Sequence, residues 1–295
     1  MHIPVLLKEV IQYLDPKPNE NFIDCTFGLG GHSLAILEKN GPRGKVLGIE
    51  ADQNLCGILN QQSTINNQQN RLILVNDNFT NLKEIVKQEN FGPISGILLD
   101  LGISSWHLES SGRGFTFLKD EPLDMRLGNE NELTAEEIIN NWPEQELEKI
   151  FKEYGEERFA KAIAANICKI RIAKPIKSTF RLAEIIRKSV PGNYEKGRIH
   201  PATRIFLALR IATNQELDNL QKVLPQTIEA LKRGGKIAVI SFNSLEDRII
   251  KNFLKDKADN GLVRIITKKP ISAGRQEIIN NPRSRSAKLR VAEKL

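Results

Sequence analysis

The sequence is short of several things, and each shortage closes off a class of function. It has three cysteines, Cys25, Cys56 and Cys168, odd in number, widely spaced and without a C-x-x-C pair. A disulfide scaffold or a thiolate zinc site is therefore not expected; reduced thiols in a cytoplasmic protein are. The four histidines, at 2, 32, 107 and 200, show no metal-ligand spacing, so no metal is expected either. No apolar run approaches the roughly 18 residues of a membrane span; Ile97-Leu98-Leu99 is only strand length. Lys8 and Glu9 interrupt MHIPVLLKEV before a signal segment can form. The starting expectation is a cytoplasmic enzyme with no membrane partner and no structural metal.

Charge is plentiful but uneven. Residues 105–157 carry five Lys/Arg against fourteen Asp/Glu, residues 158–212 carry thirteen against two, and residues 264–295 carry nine against two. The basic excess thus lies in two blocks. It reads either as solvated helical faces or as the footprint of a polyanion, since clustered Lys and Arg release counterions from a nucleic-acid backbone.

Strand and helix signals alternate over the first hundred residues. Strands are expected at Asn21–Asp24, Lys45–Glu50, Arg71–Asn76 and Ile94–Leu101, with helical segments at Gly31–Lys39, Gln53–Asn60 and Leu82–Gln88. The fourth strand is apolar enough to be buried on both faces. Such alternation predicts βαβ units and a parallel sheet. From about 132 to 190 the pattern is helical throughout, punctuated by Pro143, Pro175 and Pro191. Thr134 followed by Glu136 and Glu137 marks a helix start. Strand signals return at Gly235–Phe242, Val263–Thr267 and Ala287–Glu293, with helices at Leu217–Leu231 and Leu245–Leu254. The economical reading is one α/β domain of residues 1–104 and 213–295, interrupted by an all-helical insertion at 105–212.

Between the first strand and its helix the chain reads DCTFGLGGH, residues 24–32. A glycine-rich turn there lets a ligand approach the backbone and aims a helix N-terminus at its polar groups. Positive φ angles needed for packing alone would produce the same composition. Glu50 ends the second strand nineteen residues after Gly31, where an acid accepts hydrogen bonds from ribose hydroxyls. Together they point to an adenosine-bearing cofactor. A pyridine dinucleotide prefers G-x-G-x-x-G/A, and here Gly28 and Gly30 are followed by Ser33; no G-K-[ST] of a phosphate loop follows. S-adenosyl-L-methionine is the leading candidate, with its carboxylate at Gly30–His32 and its ribose at Glu50. Asp77-Asn78-Phe79 would face the adenine, although Phe79 reads equally well as a core residue.

Six further stretches carry a resemblance: LLDLGISSWHLESSGRGFTFLKDEPLDMRL (98–127), GEERFAKAIA, HPATRIFLALRIATNQEL, ISFNSLEDRIIKNF, NPRSRSAKLRVAEK and the glycine turn itself. Together they resemble the bacterial ribosomal RNA methyltransferases called RsmH or MraW, along essentially the whole chain. The resemblance implies a Rossmann-like class I methyltransferase sheet with an inserted helical, substrate-recognition domain. It also implies transfer of a methyl group from S-adenosyl-L-methionine to the exocyclic N4 of a cytidine in the decoding region of small-subunit (16S) rRNA. Cofactor contacts carried over from it fall on Gly30, Gly31, His32, Glu50, Phe79, Asp100 and His107. The chain departs from the family at two places, with Ser105-Trp106-His107 where S-P-Q is usual and Phe242-Asn243 where F-H is usual. An amide does not titrate, so Asn243 points to hydrogen bonding there rather than acid–base work.

Methyl transfer from a sulfonium needs no metal, covalent nucleophile or redox group, and its difficulty lies with an N4 lone pair delocalised into the ring. Acceptors on the N4 hydrogens would favour the reactive geometry. Asp100, at the C-terminal end of the fourth strand, is the candidate organiser, with Ser241 and Asn243 in support. The base must be unpaired or flipped. RGFTF and PLDMR form a possible cover for it, with Arg113 and Arg126 as contacts and Phe115 and Phe117 as either core or platform. Arg204 and Arg210 face RNA or solvent; Arg283 and Arg285, in the run that includes Lys288 and Arg290, make the stronger electrostatic case. Small-subunit rRNA, within an assembled or assembling subunit, is the expected partner. Two rivals stand at this point: an NAD-linked oxidoreductase, and an RNA-binding protein that keeps a nucleoside-cofactor pocket without turnover. The oligomeric state is left open.

Overall fold

The computed structural model describes residues 3–61, 70–128, 132–194 and 199–295. The chain forms two units, one of Met1–Ile103 with Leu217–Leu295 and one of Ser104–Glu216. Each has its own core.

The first unit is a seven-stranded sheet. Its strands are β1 (Asn21–Asp24), β2 (Val46–Glu50), β3 (Leu72–Asn76), β4 (Ile94–Asp100), β5 (Leu231–Ser241), β6 (Val263–Ile265) and β7 (Lys288–Lys294), in the order β3-β2-β1-β4-β5-β7-β6. Neighbours from β3 to β5 run parallel, and β7 is antiparallel to both β5 and β6. Ile97, Leu98 and Leu99 of β4 are fully buried. Each such aliphatic side chain contributes about 1.5–3 kcal/mol by leaving water. Gly48 in β2 is required by packing: a Cβ there would lie 2.3 Å from the Phe27 ring.

Helices Gly31–Lys39, Gln53–Leu59 and Leu82–Gln88 follow β1, β2 and β3. Glu216–Ala230 leads into β5 and Ser244–Asp259 leaves it, six residues longer than the apolar pattern alone predicts. Asn243 starts that last helix in a capping box, its Oδ1 accepting from Leu245 N and Glu246 N while Glu246 Oε2 accepts from Asn243 N. One helix lies outside the strand–helix alternation read from the sequence, although its apolar residues Leu7, Val10, Ile11 and Leu14 keep helical spacing. Leu7–Leu14 buries Val10 and Leu14 and is entered through Leu6, a buried residue in the left-handed region at φ 54°. Its first N–H, on Leu6, donates to Glu277 Oε1 at 2.7 Å.

The second unit is helical, with Ser105–Glu109, Ala135–Asn141, Glu144–Glu153, Ala160–Ala173, Thr179–Lys188 and Ala202–Asn214 among its described residues. Thr134 and Glu137 close a reciprocal capping box on the second of these, as the acids after Thr134 suggest. Leu147, Phe151, Ile163, Ile167, Leu182 and Leu209 fill its core. The segment from Lys119 to Leu127, which includes PLDMR, is stitched to these helices. Thr179 Oγ1 donates to Lys119 O and accepts from Glu121 N, and Asn214 bridges Met125 O and Leu127 N at 2.8 Å each. His200 lies before the helix that carries Arg204, its Nδ1 accepting from Ala202 N at 3.1 Å. Arg204 and Arg210 both lie on the helix Ala202–Asn214, and His200 does not.

Candidate active site

The strand order reverses between β1 and β4, and the crevice outside the C-terminal ends at such a reversal is where α/β sheets take ligands. Four acids converge on that end. Asp24 ends β1, Glu50 ends β2, Asp100 ends β4 and Glu246 opens the helix after β5. Asp24 and Thr26 tie β1 to β4. Asp24 Oδ2 accepts from Ser33 Oγ at 2.7 Å, its Oδ1 accepts from Thr26 N, and Thr26 Oγ1 accepts from Asp100 N at 2.6 Å. Asp24, Thr26 and Glu246 escape a motif-led reading. The signal for Asp24 is its place as the last residue before the glycine turn.

The turn itself has two causes. Gly28 and Gly30 hold φ of 55° and 77°, where other residues are strained, and Gly30 N donates to Phe27 O at 2.8 Å. At Gly31 the crowding comes from the chain's own N-terminus: a Cβ would sit 2.3 Å from Pro4 Cγ. Val5 O then receives His32 Nε2 at 3.0 Å. The backbone N–H groups of Gly31 and His32 lie in the first helical turn, which offers them no intrahelical acceptor.

Burial dominates the electrostatics. It pushes the Asp24 carboxyl up to about 6, against the hydrogen bonds from Ser33 and Thr26. It pushes Glu50 up to about 7, against backbone donors at Asp52 and Gly28, with the charges of Asp52 and Asp24 adding to the rise. Asp100 is held well above the carboxylate range by burial, then by the charges of Asp24 and Glu246. His32 is pushed down to about 4 by burial, tempered by its bond to Val5 O, so the ring is neutral at pH 7. Its Nδ1 lies 3.7 Å from Asp100 Oδ2. Several carboxyls thus face one another with a neutral imidazole and no cationic side chain of the set, an arrangement that favours a cationic ligand.

Glu50 retains acceptor capacity. Oε2 accepts from Gly28 N and Oε1 from Asp52 N, both at 2.9 Å, leaving each oxygen one further lone pair. Asp100 Oδ1 is buried with no hydrogen-bond partner. Phe79 opens a short 3-10 turn after β3 and packs against the edge of the sheet core, while Asp77 Oδ1 is taken by Asn78 N and Asn81 Nδ2. Ser241 is buried at the end of β5 and donates across the ladder to Lys288 O at 3.4 Å, a contact within the sheet.

The other candidate residues have local commitments. In the second unit His107 is buried and caps the helix Ser105–Glu109, its Nδ1 accepting from Ser104 N, with Trp106 and Phe115 edge-on to its ring. Arg113 lies over both Trp106 and Phe115, 5.5 and 5.8 Å from the ring centroids. Arg126 folds back on Asp124 with Nε–Oδ1 2.7 Å. Arg204 donates to Tyr194 Oη at 2.7 Å, and Arg210 grips Glu216 through two bonds, so neither is a bare solvent-facing cation. Phe117 stacks on His200 at 4.7 Å and meets Phe206 edge-on. In the first unit Arg283 and Arg285 are exposed in the turn before β7. Lys288 and Arg290 do not share that exposure: both pair with Asp247, so the basic run is not one continuous electrostatic surface.

Sheet order, glycine turn and acid-lined strand ends define a class I methyltransferase fold. A solved structure described as a putative rRNA methylase from Clostridium thermocellum shares the fold across the full length of both chains, with a TM-score of 0.50 at 13% identity. The sequence profile of the MraW methylase family matches residues 1–295, and the chain belongs to that family. It is 44% identical to the ribosomal RNA small subunit methyltransferase H of Halothermothrix orenii, over all of this chain and 98% of the relative. The same identity and coverage hold for the protein of that name from Heliobacterium modesticaldum. The nicotinamide-linked alternative is set aside by this membership.

Proposed function

We propose that this chain uses S-adenosyl-L-methionine to methylate small-subunit ribosomal RNA, at the exocyclic N4 of a cytidine in the decoding region. The observation that carries the reading is the set of buried carboxyls at the switch point between β1 and β4, within a chain whose full-length relatives are named small-subunit rRNA methyltransferases.

Bound at this end of the sheet, S-adenosyl-L-methionine supplies an electrophilic methyl group on a positively charged sulfur. Glu50 takes the ribose hydroxyls with its two remaining lone pairs, and the N–H groups of Gly31 and His32 take the methionine carboxylate, while Gly30, whose N–H is held by Phe27 O, supplies the bare backbone beside it. Phe79 covers the adenine. The clustered carboxyls favour the cationic methyl donor over its neutral thioether product, because losing the sulfonium charge removes the attraction. Asp100 Oδ1, without a partner among the described residues, accepts an N4 hydrogen and holds the amine in line; as the N4–CH3 bond forms and the S–CH3 bond breaks, N4 sheds one proton to solvent. His32, neutral with its proton on Nε2 toward Val5 O, turns the Nδ1 lone pair toward Oδ2 at 3.7 Å, beyond hydrogen-bond reach. Ser241, turned into the sheet, takes no part in this scheme. His107 and the arginines Arg113, Arg126 and Arg204 belong to the helical unit, to which we assign recognition of the RNA, and Arg283 and Arg285 add an exposed basic turn for the phosphate backbone.

The test is transfer of labelled methyl from S-adenosyl-L-methionine to small subunits purified from cells lacking the enzyme, run beside protein-free rRNA. Label in small-subunit RNA is expected. A protein that binds the cofactor and labels neither substrate contradicts the reading and leaves the binding-only alternative.

A further inference from the structure

Among the described residues of the sheet unit, two side-chain polar atoms are buried without a hydrogen-bond partner, Asp100 Oδ1 and Asn243 Nδ2. Asp100 closes β4, and Asn243 lies two residues beyond the end of the adjacent strand β5. Asp100 ends β4 opposite Ile240 of β5, Leu101 N donates to Ile240 O at 3.0 Å, and Asn243 follows three residues beyond. The two orphans differ in kind: Asp100 Oδ1 accepts when the carboxyl is ionised or carries its proton on Oδ2, and the amide nitrogen of Asn243 only donates.

The amide of Asn243 has only one possible orientation. Its Oδ1 accepts from Leu245 N at 3.0 Å and from Glu246 N at 2.9 Å, so the NH2 group must point away from the helix start. Glu246, whose Oε2 accepts from Phe242 N and Asn243 N, fixes the backbone that carries this amide. The capping box therefore aims a donor that finds no partner among the described residues. A buried unpaired donor is destabilising unless a ligand completes it.

An acceptor beside a donor is the complement of one type of base edge. Cytosine presents an N4 hydrogen next to the N3 lone pair, and adenine presents the same order with N6 and N1. Uracil and guanine present the reverse, a carbonyl oxygen next to an N–H. We propose that Asp100 Oδ1 and Asn243 Nδ2 together read the Watson–Crick edge of the acceptor base, the aspartate taking an N4 hydrogen and the asparagine donating to N3. The inference rests on the reading of the chain as a cytosine-N4 methyltransferase and adds how the base is chosen. The pair rejects uracil and guanine, whose edges would place acceptor against acceptor and donor against donor. It does not separate cytosine from adenine, so that choice falls to the size of the space around the ring. Asn243 also anchors N3 while the N4 lone pair turns toward the methyl group, a task for which a titrating side chain is not needed.

The test uses Asn243→Asp and Asn243→Ser. Both keep a capping oxygen for Leu245 N and Glu246 N, while the first replaces the donor by an acceptor and the second shortens it away. Thermal melting and calorimetric binding of S-adenosyl-L-methionine come first, and both are expected to stay near the wild-type values. Methyl transfer to small subunits is then expected to fall about 10- to 100-fold. The second arm uses the wild-type protein and subunits reconstituted with 3-deazacytidine at the methylated position, where a C–H replaces the N3 lone pair. A similar loss is expected, and Asn243→Asp should add little to it, because both changes remove one interaction. Full activity on 3-deazacytidine overturns the inference, as does a loss in the variants that is traced to cofactor binding. A wild-type protein that labels no cytidine at all brings down the functional reading instead, and the two failures are thereby distinct.

Discussion

Arg290 on β7 lies along Asp247, with Nε 2.7 Å from Oδ1 and Nη2 3.2 Å from Oδ2, and Lys288 Nζ joins the same carboxylate at 3.3 Å. Both partners of the main pair are largely buried, at 10% and 14% side-chain exposure. The basic C-terminal run is thus divided by function, its inner members holding β7 to the helix after β5 and its outer members facing solvent.

Arg290→Ala is expected to destabilise the protein by about 3 kcal/mol, since it leaves a shielded carboxylate without its main partner. Arg285→Ala should leave stability within about 0.5 kcal/mol. It should instead weaken RNA binding and lower the salt dependence by about one counterion. Denaturant melts and filter binding across a salt series check the two outcomes. Equal effects of both variants on RNA affinity, with no loss of stability, would contradict the division.

Glu50 should make the cofactor-free protein less stable as the pH rises. Its carboxyl sits at about 7 in the fold against 4.5 ordinarily. Between those values the folded protein holds a proton that the unfolded chain has released, so stability falls as the pH climbs through the window. Glu50→Gln removes this slope. The stability of wild type minus variant should therefore drop from pH 4.5 to 7 and level off above it. The same variant should weaken S-adenosyl-L-methionine binding about 10-fold or more, through lost ribose contacts. Melts across pH with matched calorimetry measure both, and a flat difference across the window would remove the assignment.

Gly31→Ala puts a methyl group 2.3 Å from Pro4 Cγ, so a cost of about 1–3 kcal/mol is expected. Pro4→Gly alone should cost less, and in the double variant the two costs should fall well short of adding. The double-mutant cycle separates crowding by the chain's own N-terminus from crowding by the ligand. Additive losses would mean that the turn is constrained by something other than Pro4.

In the helical unit the Glu157 side chain is fully buried. Its Oε1 accepts from Phe159 N at 2.8 Å and Tyr194 Oη at 2.9 Å, and Oε2 lies 3.7 Å from Arg204 Nη1. Arg204→Ala is expected to destabilise this unit by about 2–4 kcal/mol before any effect on RNA is counted. Glu157→Gln, which removes the charge but keeps the shape, should rescue part of that loss in the double variant. Melting of the single and double variants decides it.

The sheet was legible in the sequence because β1 to β5 are apolar runs bounded by glycine, proline and polar turns, and the cofactor end was legible because an acid closes β2 after a glycine turn. Contacts between distant residues were not legible. Arg290 reads as part of a basic tail until the fold brings Asp247 beside it, 43 residues earlier in the chain. Gly31 reads as space left for a ligand until Pro4 is found filling it. The helix Leu7–Leu14 was legible in the spacing of Leu7, Val10, Ile11 and Leu14, but its entry through a left-handed Leu6, held by Glu277 from the far end of the chain, was not. Asn243 could be read as unable to titrate, but that its Nδ2 is left unpaired follows only from the capping box that takes its oxygen.

The central claim is the identity of the modified atom. Small subunits from cells lacking the enzyme would be incubated with the protein and S-adenosyl-L-methionine labelled in the methyl group, and the RNA digested to nucleosides and separated by mass spectrometry. Label confined to N4-methylcytidine, and abolished by Asp100→Ala with cofactor binding retained, is the expected result. Label on a ring carbon, on a ribose oxygen or on another base would contradict the role given to Asp100 and the assignment of the acceptor.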